Sequence, residues 1–284
     1  MFYPASRLTL SFELFPPKTA ASEEALWEHV AQLMVFQPDV VTCTYGAGGS
    51  TRDKTLQIVE QVRRRFGVRV ASHLTCVGST TEQLRHYLNE AASRGIENIV
   101  ALRGDPPKGE TAFQPVEGGL RYASELVSLI RREFPKLGIA VAGYPETHQE
   151  ATSPQADLEN LKRKVEAGGH CVITQLFYDN ADFFRFRDRC RELGITVPII
   201  PGILPVTNLS QIQRITSLCK ACLPEAFIAE LTQQDDTDWQ FAAGVRWATR
   251  QVQELIDAGV PGLHFYVLNK SPATAAVLNG VRRP

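Results

Sequence analysis

The sequence predicts an α/β fold, a single (β/α)8 TIM barrel occupying residues 1–284. Three observations carry this expectation. Eight strand-like runs alternate with amphipathic stretches along the whole chain, and 284 residues suit one such barrel of about 250 residues with modest insertions. Four polar residues, Glu13, His73, Asp105 and Gln175, also fall at the C-terminal ends of four separate predicted strands, where a barrel assembles its site.

The first strand, residues 8–15, places Leu8, Leu10, Phe12 and Leu14 on one side and Thr9, Ser11 and Glu13 on the other. In a barrel one strand face meets the helices and the other the axis, so the apolar side packs outward and Glu13 points to the axis. Residues 39–45 and 68–75 form the second and third strands. Residues 98–102 form the fourth, with Arg103 and Asp105 sharing one side of its extension. The fifth, 138–142, aligns Ala140, Ala142 and Tyr144, and the sixth, 171–177, aligns Ile173 with Gln175. Residues 197–201 and 262–268 complete the set. The intervening helices are expected at 22–36, 52–66, 81–94, 119–134, 157–167 and 181–193, several opening on Ser, Thr or Asp as a cap. Strict alternation implies parallel strands joined by right-handed crossovers. The last connection is irregular: 207–222 and 239–258 both read as helical, separated by a polar stretch containing Gln233, Gln234, Asp235 and Asp236. A final helix is expected at 273–281.

Lys and Arg number 30 against 31 Asp and Glu, a net charge of -1. That balance gives no electrostatic reason to expect nucleic acid or an anionic membrane, and it favours a small-molecule partner. Residues 1–7 lack the pattern of a signal peptide, and no apolar run approaches the roughly 18 residues that span a bilayer, so a cytoplasmic location is expected. The six cysteines are scattered, which suits reduced thiols. Cys219 and Cys222 read as ordinary packing, because a zinc site needs a second ligand pair and a redox site a βαβ context.

Glu13 sits between aromatic residues and before Pro16 and Pro17. Partial desolvation there is expected to raise its pKa, as a general acid requires, while an ion-paired structural Glu is the other reading. Asp105 reads either as a site carboxylate or as the salt-bridge partner of Arg103. His73 reads as a site residue or a satisfied core histidine. The Gln175 amide suits the edge of a heterocycle or a neighbouring side chain. The Gly-rich loop 44–51 is able to bring backbone amides near an anion, but it does not match the dinucleotide fingerprint, and no phosphate loop of the Walker type occurs. Asp157, Asn160 and Lys164 share one helix face, either solvated or turned to a nucleotide.

Several of these segments together resemble the methylenetetrahydrofolate reductase family: Ser11-Phe12-Glu13-Leu14-Phe15-Pro16-Pro17-Lys18, Val41-Thr42-Cys43-Thr44-Tyr45-Gly46-Ala47, His73-Leu74-Thr75-Cys76, Ala101-Leu102-Arg103-Gly104-Asp105, Tyr144-Pro145-Glu146, Ile173-Thr174-Gln175, Pro201-Gly202-Ile203-Leu204-Pro205 and His264-Phe265-Tyr266-Val267-Leu268-Asn269. The resemblance implies an FAD-dependent enzyme that reduces methylenetetrahydrofolate to methyltetrahydrofolate with NADH or NADPH, in ping-pong fashion through one pocket. It implies Glu13 as the acid that opens the methylene bridge and Asp105 as the carboxylate beside flavin and pterin. Thr44, His73, Arg103, Gly104, Tyr122, Ala123, Tyr144, His148 and Ala151 match FAD-contacting positions, as do Asp157, Asn160, Arg163 and Lys164. Gln175 and Gln211 match substrate contacts. Ile215 stands where some members have phenylalanine, and Lys270 where some have arginine. By the same resemblance a homo-oligomer is expected, without the regulatory domain of eukaryotic relatives. No metal is expected.

Overall fold

Eight parallel strands follow one another around a closed barrel in chain order, each hydrogen-bonded to the next and the eighth to the first. The computed structural model describes residues 7–44, 52–106, 109–110 and 112–283. Of the Gly-rich loop 44–51 only Thr44 lies within that range, and Pro107 lies outside it.

The strands are β1 (Thr9–Leu14), β2 (Val40–Cys43), β3 (Arg69–Thr75), β4 (Asn98–Leu102), β5 (Gly138–Gly143), β6 (Cys171–Leu176), β7 (Ile199–Ile203) and β8 (Gly262–Tyr266). Between them run α1 (Ala20–Met34), α2 (Arg52–Phe66), α3 (Thr81–Ser93), α4 (Ala123–Glu133), α5 (Pro154–Glu166) and α6 (Asn180–Glu192). The last connection carries α7 (Leu209–Cys219), α8 (Glu225–Leu231) and α9 (Thr237–Asp257), and α10 (Pro272–Gly280) closes the fold. The expected barrel is therefore present, with element ends shifted by a few residues.

Side-chain periodicity divides the core in two. Leu10, Phe12 and Leu14 of β1 join the layer between strands and helices, with Leu26, Val30 and Leu33 of α1. Each such fully buried side chain contributes about 1.5–3 kcal/mol through lost apolar hydration. Val40, Ala71, Val100, Ala140, Cys171 and Ile200 instead fill the axis. Small residues there leave room above them at the C-terminal rim.

Local signals explain the helix starts. Thr19 and Thr80 each cap a helix through the side-chain oxygen, accepting from Ser22 N and Gln83 N, and Ser153 caps α5 ahead of Pro154. Helix α8 falls in the stretch expected to be an irregular connection. It forms because Phe227 and Leu231, one turn apart, are buried, with Phe227 stacked on Trp247 at 4.4 Å between ring centroids. Seven residues are too few for a helical period to stand out in the sequence. Helix α7 ends at Cys219 rather than 222 because Lys220 adopts left-handed backbone (φ 55°).

Candidate active site

A cavity of about 460 Å³ opens at the C-terminal ends of the strands. That falls within the roughly 300–1,000 Å³ usual for small-molecule pockets. Its wall is apolar at Val77, Leu102, Ile173, Leu204, Ile215 and Leu268, and the polar groups converge on it from opposite sides.

The first polar group is Glu13, near the end of β1. Pairing of β1 with β8 sets Ser11 opposite His264 and Glu13 opposite Tyr266, which brings His264 in beside the carboxylate. His264 Nε2 and His73 Nε2 both lie 3.3 Å from Glu13 Oε2. His264 is fully buried, and its other nitrogen, Nδ1, lies 2.8 Å from Ser11 Oγ. The His73 contact is a proximity of charge rather than a directed hydrogen bond, since neither ring nitrogen of His73 has a hydrogen-bond partner among the described residues.

These neighbours overturn the expectation that Glu13 titrates high. Burial pushes its carboxyl up, but the charge of His73 and the hydrogen bond with His264, helped by further interactions with both rings, outweigh it and bring the value down to about 2. The flanking aromatics do not wall the carboxylate in: Phe12 packs outward into the strand–helix layer and Phe15 is exposed.

The exits of β4 and β5 form the second wall. The Arg103 guanidinium donates to both oxygens of Glu150, at 2.7 and 2.6 Å. Hydrogen bonding to Glu150 raises the Arg103 pKa, and the same bond lowers that of Glu150. The alternative of an Arg103–Asp105 salt bridge is thus not what forms, and Asp105 stays exposed on the cavity rim. Gly104 (φ 89°) lets the chain turn there, where a Cβ would meet Val77 at 2.6 Å.

Behind this wall lies the α5 face. Asp157 Oδ2 accepts from His148 N at 3.0 Å, and the His148 ring meets Tyr144 edge-on with centroids 4.6 Å apart. Lys164 Nζ donates to the Ala142 carbonyl at 2.6 Å. Burial lowers the Lys164 pKa to about 8, with Asp157 pulling the other way. A plain solvated face is therefore excluded for Asp157 and Lys164. Arg163 instead donates to Asn160 Oδ1 at 3.0 Å on the outer, exposed side.

Gln175, at the end of β6, and Ile215, on α7, bound the cavity opposite Glu13's wall. Glu146 Oε1 accepts from Cys222 N at 2.8 Å, tying the β5 exit to the segment that follows α7. Of the sequence-predicted residues, Glu13, Thr44, His73, Arg103, Gly104, Asp105, Tyr144, His148, Gln175 and Ile215 line the cavity. Tyr122, Ala123, Ala151, Asn160, Arg163, Gln211 and Lys270 do not, and Asp157 and Lys164 support it from behind. Sequence reasoning assigned no role to His264 or Tyr266. Their signal was present in alternation, since His264 and Tyr266 share one face of β8 while Leu263 and Phe265 take the other.

Among the described residues no group of three His, Cys, Asp or Glu is arranged to hold a metal ion, and no helix is long and apolar enough to cross a membrane. The six cysteines are free thiols, and burial pushes Cys76 up to about 12.

A model of the family described as methylenetetrahydrofolate reductase matches residues 3–282. The 5,10-methylenetetrahydrofolate reductase of Escherichia coli (strain K12) is 41% identical over 280 residues, covering 97% of this chain and 92% of that protein. Methylenetetrahydrofolate reductase (NADH) 1 of Arabidopsis thaliana is 40% identical over 279 residues, covering 94% of this chain and 47% of that protein. The chain thus spans about half the length of the plant relatives it matches. Among solved structures, an uncharacterized protein from Clostridium thermocellum that binds two copies of 5-methyl-5,6,7,8-tetrahydrofolic acid superposes with a TM-score of 0.64. It covers 97% of this chain and 95% of its own, and at 13% identity the likeness shows the fold alone.

Proposed function

The chain belongs to the methylenetetrahydrofolate reductase family, and on that premise we propose that it reduces 5,10-methylenetetrahydrofolate to 5-methyltetrahydrofolate with FAD as its cofactor and NADH or NADPH as donor. The observation that carries this reading is one cavity lined by Glu13, which contacts His264, and by Gln175, with Asp105 on its rim.

The residues present fit a flavin dinucleotide. His73 offers a buried Nδ1 with no hydrogen-bond partner among the described residues, and the apolar wall suits a flat heterocycle. Gly104 and Arg103 sit on one side of the cavity, and Tyr144 and His148 form a second flat surface. Lys164 and Arg163 supply positive charge for phosphates on the α5 side, and Asp157 and Asn160 supply acceptors for ribose hydroxyls. When bound, FAD would supply the redox chemistry that links the nicotinamide donor to the folate.

The chain's own residues do the rest. Glu13, whose Oε2 lies 3.3 Å from His264 Nε2, passes a proton to the folate nitrogen that leaves as the methylene bridge opens. Asp105, on the cavity rim, stabilises the cation so formed through its negative charge. Gln175 orients the pterin, and in the other half-reaction the nicotinamide. Ile215 supplies apolar contact to the ring, and Gln211 and Lys270 reach the outer part of the folate. The reading also includes a cytoplasmic location, small-molecule partners without nucleic acid or membrane and, from the family resemblance, a homo-oligomer.

The test is an anaerobic absorbance titration of the purified protein. Visible flavin absorbance is expected to bleach with NADH or NADPH and to return on adding methylenetetrahydrofolate. A protein that stays colourless with added FAD overturns the reading.

A further inference from the structure

Strand β6 carries one residue more than β7 between the pairs Ile173–Ile200 and Leu176–Gly202. Such a bulge re-aims the side chains beside it. Here the bulge is held at Thr174, which is fully buried, from two directions. Gly202 N donates to Thr174 Oγ1 at 2.9 Å, and the Tyr266 hydroxyl donates to the Thr174 carbonyl at 2.7 Å. A Cβ on Gly202 would lie 2.2 Å from that same carbonyl oxygen and 2.7 Å from the Tyr266 ring. Glycine at this position is therefore what gives the tyrosine its line to Thr174.

The next residue along the bulge is Gln175, whose side chain lines the cavity. Its Oε1 accepts from Leu176 N at 2.9 Å. That bond settles the orientation of the amide, because only the oxygen is able to accept from a backbone N–H. The NH2 end is left to meet a ligand, so this side of the pocket presents donors suited to a carbonyl or ring nitrogen.

We propose that Tyr266 is a positioning residue for Gln175: its hydroxyl pins the β6 bulge and so holds the Gln175 amide with its donors turned to the ligand. The ring of the same tyrosine meets His264 edge-on, with centroids 5.1 Å apart at 87°. One side chain thus spans from the imidazole behind Glu13 to the bulge that carries Gln175. The identity of the ligand rests on the folate reductase reading, whereas the positioning does not.

The experiment compares Tyr266→Phe, Gln175→Ala and the double variant. Tyr266→Phe keeps the ring and removes only the donor. Each single variant is expected to raise the KM for methylenetetrahydrofolate about tenfold, and the double to be no worse than Gln175→Ala alone, because residues acting through one another are not additive. Independent, additive losses overturn the proposal. Amide hydrogen exchange on the same proteins reads the bulge without any turnover: Leu176 is expected to exchange faster in Tyr266→Phe while the melting temperature holds. Unchanged exchange at Leu176 also overturns it. A wild-type protein without reductase activity removes the proposed function but leaves the exchange comparison to decide the positioning.

Discussion

His264 Nε2 lies 3.3 Å from Glu13 Oε2, while Nδ1 of the same fully buried ring lies 2.8 Å from Ser11 Oγ. Ser11 Oγ is also 3.2 Å from the Leu263 carbonyl, the acceptor for its proton. A serine that donates to that carbonyl accepts from His264 Nδ1, which fixes the ring with Nε2 toward the carboxylate. The carboxylate is the part of this cluster that lines the cavity.

Glu13→Gln removes the carboxylate while preserving its shape. Cofactor binding and reduction by the nicotinamide are expected to persist, and the folate half-reaction to slow by about 100-fold or more, the usual contribution of a positioned acid. Rapid-mixing absorbance measurements on each half-reaction separate the two. Equal loss in both halves would remove the acid role assigned to Glu13.

The low Glu13 value has a stability consequence. Its folded pKa of about 2 lies below the ordinary 4.5, so the unfolded chain binds more protons between those values. The stabilisation from its histidine contacts is thus fully present above about pH 4.5 and is lost as pH falls toward 2. Glu13→Gln is expected to flatten the acid limb of a stability-versus-pH curve measured by chemical denaturation. An acid limb identical to wild type would contradict the charge contacts.

Lys164 behaves in the opposite sense. Its folded value of about 8 lies below the ordinary 10.5, so the buried ammonium costs stability below about pH 8, and the cost is relieved as pH rises toward 10.5. An anionic dinucleotide at α5 favours the charged form. Binding of FAD to the apoprotein at pH 9 is expected to take up close to one proton, falling toward none at pH 7. Calorimetry in buffers of different ionisation heat measures the uptake, and Lys164→Met is expected to abolish it.

Gly202→Ala inserts a methyl group 2.2 Å from the Thr174 carbonyl. The neighbour is backbone within a closed barrel and cannot swing aside as a flexible side chain does. Overpacking of this kind costs about 1–3 kcal/mol, so a clear fall in melting temperature is expected by circular dichroism. A melting temperature equal to wild type would show that the β6 bulge yields easily.

Much of the fold was legible in the sequence because period-two alternation is local. Leu10, Phe12 and Leu14 against Thr9, Ser11 and Glu13 sorted β1 into helix-facing and axial sides without reference to any other strand. Helix α8 was not legible, because Phe227 is buried against the Trp247 and Tyr178 rings, 20 and 49 positions away along the chain. The same limit applied to charge. Asp105 and Arg103 are two residues apart, yet the guanidinium turns to Glu150, 47 residues away.

The sequence by itself determined the alternating barrel and set Glu13, His73, Asp105 and Gln175 at the strand ends that line the cavity. These follow from residue type and spacing along a few neighbouring positions, whereas the other six cavity residues named in advance rest on the family resemblance. Only the tertiary structure decided the charge contacts of Glu13, the half-buried setting of Lys164 and the bulge at Thr174. Each depends on partners brought together by strand pairing: His264 reaches Glu13 across 251 positions of chain, Ala142 reaches Lys164 across 22, and Tyr266 reaches Thr174 across 92. Electrostatics and hydrogen bonding act over a few ångströms of space, and the closed barrel sets which residues share that space.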